Sequence, residues 1–222
     1  LYLDSEVSFK ALCREGADVE KGDLIFSVEG YSRALLMAER TALNFTQRLS
    51  GIATVTRDCM QRISHTRACV LDTRKTTPGL RYLEKYAVRV GGGVNHRFNL
   101  ADGVLIKDNH IIAAGGLTRA IEAAQSRSHH LMKVEVEVRT LEEVEEALGA
   151  GADVLLLDNM NLELLRASVK LVNGKAVTEA SGGVTPQTLI PIAETGVDFV
   201  SLGWLTHSAP ALDISLQFQP QV

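Results

Sequence analysis

From Cys69 onward the chain alternates short apolar runs with segments of helical periodicity, and no other feature restricts its possible folds so strongly. The runs are Cys69–Leu71, Val104–Ile106, Val134–Val138, Val154–Leu157, Ala176–Val177 and Phe199–Leu202. Between them Thr118–Arg127, Leu141–Leu148, Leu162–Leu171 and Pro186–Thr195 place apolar residues at helical spacing. Strand then helix, repeated, builds a parallel sheet, because parallel neighbours need a long crossover. A Gly-x-Asp-apolar pattern starts at Gly151 and again at Gly196, 45 residues later. Each copy reads as a helix-ending glycine that feeds a buried strand. No G-x-G-x-x-G follows the first run, so an α/β fold with an open or distorted (β/α) barrel fits better than a doubly wound sheet, which stays the alternative.

Upstream of Cys69 the period changes once. Gly16–Val19 and Gly22–Val28 read as two strands about a Glu20-Lys21-Gly22 turn. From Ser32 to about Ser64 the apolar residues fall three and four apart, which predicts a long helix and puts a domain boundary near Tyr31. Gly51 inside it predicts a break or a close helix contact. Arg40 stands beside the apolar Ala42 and Leu43 of a packing surface.

The densest chemistry lies between Val70 and Ile111. Arg74, Lys75, Arg97, Lys107, His96 and His110 fall next to glycines or at the ends of apolar runs, the edge of an α/β sheet where ligands bind. The net charge is −4 over 222 residues, with a pI near 5.9, so no global basic field recruits nucleic acid or a membrane. Any anion site is therefore local. Three cysteines without CxxC spacing argue against a disulfide framework or a structural zinc, and fit a reducing, cytoplasmic setting. No run reaches the roughly 18 apolar residues of a membrane span, and no signal-peptide layout is present. The chain opens on Leu1 in mid-pattern, which predicts further residues upstream.

Cations come early along the strand ends and carboxylates later. Asp72, Arg74 and Lys75 follow the first run, then Lys107, Asn109 and His110, then Glu137, then Asp158-Asn159, then Glu179 and Ser181-Gly182-Gly183. Glu137 and Asp158 are hard oxygen ligands suited to Mg²⁺, or acceptors for sugar hydroxyls. In Val134–Val138 the glutamates could form an exposed acidic face, but inside a barrel at least one inward carboxylate needs a partner. Ser181-Gly182-Gly183 before Pro186 reads as a helix start that binds phosphate, together with Leu202-Gly203-Trp204 after the last strand.

Glu39–Asn44, Asp72–Gly79, Gly91–Arg97, Leu105–His110, Glu179–Gly183 and Thr206–Asp213 closely resemble, in order, the motifs of the quinolinate phosphoribosyltransferase family. The resemblance implies type II phosphoribosyl transfer in NAD synthesis: quinolinate and phosphoribosyl pyrophosphate, with Mg²⁺, give nicotinate mononucleotide, pyrophosphate and carbon dioxide. It implies a homodimer or an assembly of dimers. It also implies a partial N-terminal α/β sandwich over 1–31, lacking a third or more of its usual length, a barrel over 32–213, and a C-terminal strand over 214–222 returning to the sandwich.

By the same resemblance, quinolinate meets Thr73, Arg74, Lys75, His96, Arg97, Lys107 and His110, with Arg40 reaching a neighbouring subunit's site. Glu137 and Asp158 face ribose and metal, directly or through water. Ser181, Gly182, Gly183, Leu202, Gly203, Trp204 and His207 form the phosphate end. Lys107, Glu137, Asp158 and Lys75 are the expected catalytic residues. Trp204 is bulkier than usual there and either narrows the loop or packs outward. The rival readings are a molybdenum-transport paralogue of the same fold and a Schiff-base lyase acting through Lys107.

Overall fold

In the computed structural model, which describes residues 5–219, each apolar run becomes a strand of one parallel sheet. An antiparallel hairpin comes first, β1 (Ser8–Ala11) against β2 (Phe26–Glu29), followed by the 31-residue helix α1 (Ser32–Arg62). The parallel strands are β3 (Cys69–Leu71), β4 (Val104–Ile106), β5 (Val134–Val138), β6 (Val154–Asp158), β7 (Val177–Ser181) and β8 (Phe199–Ser201). Helix α2 (Arg81–Val90) follows β3, and α3 (Asp108–Ala114) and α4 (Leu117–Arg127) follow β4. Then α5 (Leu141–Gly149), α6 (Leu162–Val172), α7 (Leu189–Ala193) and α8 (Trp204–His207) follow β5 to β8 in turn.

The order β3-β8-β7-β6-β5-β4 brings the first strand beside the last and leaves β3 and β4 unpaired with each other. The barrel is thus open at one seam. There Val94 bridges Leu71 in parallel fashion, and the 91–97 loop occupies the edge where another strand would lie. Paired residues share a face. Leu105, Glu135 and Val154 are in register, as are Glu137, Leu156, Glu179, Phe199 and Cys69, so the glutamates of β5 and β7 face one interior. The alternate residues Val134, Val136, Val138, Leu155, Leu157 and Val200 are buried against the helices, the main source of stability.

Local sequence explains the helix boundaries. Thr140 caps α5 by accepting from the Glu143 N–H, and Asn161 caps α6 by accepting from the Leu164 N–H. The repeated Gly-x-Asp has a double purpose. Gly151 and Gly196 take left-handed φ of +79° and +93°, while the Asp153 and Asp198 carboxylates accept N–H groups near the start of the neighbouring strands, from Val134 and Thr178.

Several expectations change. The hairpin exists, but Gly16–Val19 is not a strand; its place is taken by Ser8–Ala11, and β2 begins only at Phe26. The Glu20–Asp23 turn is held by the Glu20 N–H on Asp23 Oδ2, so Lys21 is a turn residue. Helix α1 does not break at Gly51. A Cβ there would lie 1.9 Å from the Pro210 carbonyl, so the glycine admits the C-terminal segment, which then bonds Gln47 through Leu212 N–H and Ile214 C=O. No strand forms over 214–219, and 220–222 lie outside the described residues. The run at Ala176 extends to Ser181, whereas Pro186 lies in a turn and α7 starts only at Leu189.

Candidate active site

At the C-terminal ends of the strands two acidic groups sit side by side, each tied to cations. Glu137, 7% exposed, accepts from Lys107 Nζ at 2.8 Å and from Arg139 Nη2 at 2.7 Å. Arg139 also reaches Asp158 Oδ2 at 3.3 Å, and Asn159 Nδ2 donates to the same oxygen at 2.8 Å. Lys107, Glu137, Arg139 and Asp158 therefore form one chain across β4, β5 and β6. Arg139 was not singled out from the sequence. It ends the apolar run of β5 just as Lys107 ends that of β4, and the same strand-end rule would have found it.

The other cations behave differently. Arg74 and Lys75 are exposed, and neither side chain has a hydrogen bond or ion pair among the described residues. Arg97 gives one N–H to the Gly103 carbonyl at 2.9 Å. Burial and then the Arg74 charge push its pKa down. Two guanidinium groups repelling each other beside a strand end are a site prepared for an anion. Thr73 closes a turn by accepting the Lys75 N–H. His110 is exposed, and its Nδ1 accepts the Lys107 N–H at 2.9 Å, which leaves Nε2 as donor to the solvent side.

The residues expected at the phosphate end make two close approaches between loops. Gly182 has φ +100°, and a Cβ on it would lie 2.3 Å from Asn159 Oδ1, so only glycine lets the β6 and β7 loops touch. A Cβ at Gly203 would meet the Lys75 stem at 3.0 Å and the His207 ring at 3.4 Å, so Lys75, Gly203 and His207 share one spot. The Thr206 hydroxyl locks the arrangement by donating to the Lys75 carbonyl at 2.7 Å. Trp204 opens α8 half-buried, and Leu202 is buried behind the loop. The expected direct run from Gly183 into a helix N-terminus is absent, because the Thr185–Thr188 turn intervenes. The Ser181-Gly182-Gly183 loop therefore does not lead directly into a helix N-terminus.

Beneath the cage lies a buried layer. Asp72 is fully buried and accepts from Lys85 Nζ, Asn95 Nδ2 and the His96 N–H. Burial outweighs those partners and raises its pKa. His96 Nε2 lies 3.1 Å from Glu135 Oε2 and 3.8 Å from Glu179 Oε2, and its Nδ1 accepts the Arg97 N–H at 2.7 Å. Burial opposes a charge on His96, but the Glu135 hydrogen bond and the fields of Glu179 and Glu135 prevail and raise its pKa. Glu179 accepts from the Ser201 hydroxyl; burial, then Glu135, raises its pKa to about 8. Both interior glutamates of β5 thus have partners, as their inward position requires. Arg40 stands apart, exposed on α1 with no side-chain partner among the described residues.

Residues 52–217 match the family described as quinolinate phosphoribosyl transferase, C-terminal domain, and residues 1–50 match its N-terminal domain. A probable nicotinate-nucleotide pyrophosphorylase (carboxylating) of Bacillus subtilis is 48% identical over 96% of this chain and 74% of that relative. The chloroplastic nicotinate-nucleotide pyrophosphorylase of Arabidopsis thaliana is 43% identical over 100% of this chain and 68% of its own length. The solved nicotinate-nucleotide pyrophosphorylase of Francisella tularensis superposes with a TM-score of 0.94 at 44% identity, covering 98% of this chain and 78% of that one.

Proposed function

Because this chain belongs to the quinolinate phosphoribosyltransferase family, we propose that its open barrel joins quinolinate to the ribosyl carbon of phosphoribosyl pyrophosphate and releases pyrophosphate and carbon dioxide. The product is nicotinate mononucleotide, and the chain is a phosphoribosyltransferase of pyridine-nucleotide synthesis. One observation carries the assignment of roles: among the described residues neither Arg74 nor Arg97 is ion-paired, while Glu137 is paired with Lys107 and linked to Asp158 through Arg139. Cations set apart from carboxylates suit a dicarboxylate next to a ribosyl centre that gains positive charge.

Quinolinate's carboxylates bind Arg74 and Arg97, whose planar forks match two oxygens each, with Lys107, Thr73, His96 and His110 around the ring. The ring nitrogen attacks the ribosyl carbon as its bond to pyrophosphate oxygen breaks. Glu137 and Asp158 hold ribose hydroxyls and stabilise the oxocarbenium-like centre. Lys75, beside Gly203 and His207, adds a cation facing the phosphate groups of phosphoribosyl pyrophosphate. Ser181, Gly182 and Gly183, with Leu202, Gly203, Trp204 and His207, hold the 5′-phosphate. The C2 carboxylate then departs as carbon dioxide, its electron pair staying on C2 beside the positive ring nitrogen. Lys107 supplies the proton to C2, directly or through a water.

Mg²⁺ fits the residues present. Both Glu137 oxygens are taken by Lys107 and Arg139, but Asp158 Oδ1 has no bonded partner among the described residues. Asp158 would hold the ion directly and Glu137 through water, as Mg²⁺ prefers few carboxylates and several waters. When bound, it offsets charge on the pyrophosphate.

Arg40 completes the site of a second copy in a homodimer. Leu36, Met37 and Phe45 are exposed around it on α1, apolar area of the kind an interface covers. The free cysteines Cys13, Cys59 and Cys69 suit the cytoplasm, and no described helix is long and apolar enough to cross a membrane.

Incubation with quinolinate, phosphoribosyl pyrophosphate and Mg²⁺ should yield nicotinate mononucleotide and carbon dioxide, and nicotinate should not replace quinolinate. No product, or equal use of nicotinate, refutes the reading. Lys107→Ala with full turnover would remove Lys107 from the proton step.

A further inference from the structure

Of the buried group formed by His96, Glu135 and Glu179, the chemistry above uses only His96. One ligand atom from each lies within 4.8 Å of the others. Such a trio resembles a divalent-metal site, but the histidine is turned the wrong way for that. Its Nδ1 accepts the Arg97 N–H, which requires the neutral ring with its hydrogen on Nε2, the nitrogen that faces the two carboxyls. The space is built for protons.

Glu135 Oε1 is buried and has no hydrogen-bond donor. Glu135 is 7% exposed and Glu179 3%. Glu179 Oε1 is occupied by the Ser201 hydroxyl, which leaves Oε2 turned toward the His96–Glu135 pair. A proton on that oxygen supplies the missing donor; an ionised Glu179 would put two buried carboxylates against each other.

We propose that Glu179 is a positioning residue whose neutral carboxyl donates to Glu135, so that Glu135 holds the His96 Nε2–H and thereby fixes the His96–Arg97 pair at the dicarboxylate cage. Titratable groups facing Glu179 are Glu135 from β5 and His96 from the 91–97 loop, with the Arg97 charge near Glu135. Its register neighbours Leu156 on β6 and Phe199 on β8, and Ser201, do not titrate in the working range. Burial and the Glu135 charge keep the proton on Glu179 up to about pH 8, above which the arrangement fails.

The proposal rests on the phosphoribosyl-transfer reading for its assay, and a spectroscopic readout separates the two. Glu179→Met, which removes the donor, should lower kcat/KM for quinolinate on the order of 10- to 100-fold. Glu179→Gln, which keeps a neutral donor, should restore most of it. Wild-type kcat/KM should fall as pH rises through about 8, and Glu179→Gln should lack that fall. Infrared difference spectra should show a protonated-carboxyl band in the wild type that disappears in Glu179→Gln. The proposal is overturned if Glu179→Gln is as impaired as Glu179→Met, if the alkaline fall persists in it, if Glu179→Gln fails to fold, or if no protonated-carboxyl band depends on Glu179. Should wild type form no product while the band is present, the reaction assignment fails and the neutral carboxyl stands.

Discussion

Replacing Glu179 by glutamine should change how stability depends on pH. The folded protein raises the Glu179 pKa from 4.5 to about 8, so between those values the native state binds a proton that the unfolded chain has released. A raised folded pKa contributes stability that is fully present below pH 4.5 and is lost as pH climbs through about 8. The slope for one proton is about 1.4 kcal/mol per pH unit. From pH 5.5 to 7.5 the wild type should lose roughly 2 to 3 kcal/mol relative to Glu179→Gln, which has no proton to give up. For a chain of this size that is roughly 4 to 12 °C in Tm. Asp72, also raised by burial, contributes the same sign but is present in both proteins and cancels in the difference. Thermal unfolding of both proteins by circular dichroism, at half-unit pH steps in one buffer series, measures this directly. Parallel Tm curves across the range, or a gap that widens the other way, would refute a neutral buried Glu179.

The other predictions concern separate parts of the molecule. Gly182→Ala forces a side chain into a left-handed backbone against Asn159, so kcat/KM for phosphoribosyl pyrophosphate should fall roughly 10- to 100-fold with circular dichroism unchanged; an active variant would show that this loop is not held in the bound form. Arg48→Met leaves the fully buried Glu84 without its charge partner at 2.5 Å and should cost about 3 kcal/mol in urea unfolding, the low end for such a pair because Arg48 is a third exposed. A loss under about 0.5 kcal/mol would refute the pair's contribution. Finally, Arg40→Ala and Arg97→Ala should each be inactive alone and recover activity when mixed and allowed to exchange subunits; no recovery would place Arg40 outside a shared site.

Much of the fold was legible because its signals are local. Cys69–Leu71, Val104–Ile106 and Val134–Val138 are strands over the very residues their apolar runs suggested, and α1 spans the predicted helix. The hairpin was harder. Ser8–Ala11 lies exposed on all its residues, so no burial pattern marked it as a strand, and glycine-flanked Gly16–Val19 was the more conspicuous run. Pro186 misled in a similar way: proline is welcome in a first helical turn and equally at home in the Thr185–Thr188 turn that actually holds it. Arg139 ends the β5 run, where the strand-end rule marks it, but nothing local in the sequence shows that it bridges Glu137 and Asp158.

The sequence by itself determined the order of strands and helices, the cluster of cations after β3 and β4, the acidic residues after β5 and β6, and the glycines that end helices. Those follow from periodicity and backbone stereochemistry, which act over a few residues. Only the tertiary structure decided that β3 closes on β8 and leaves the seam at β4, that Arg139 ties Glu137 to Asp158, and that His96, Glu135 and Glu179 meet in one buried layer. Strand register sets which side chains share the barrel interior, and burial then sets their protonation. Neither is encoded in any stretch of chain shorter than the barrel itself.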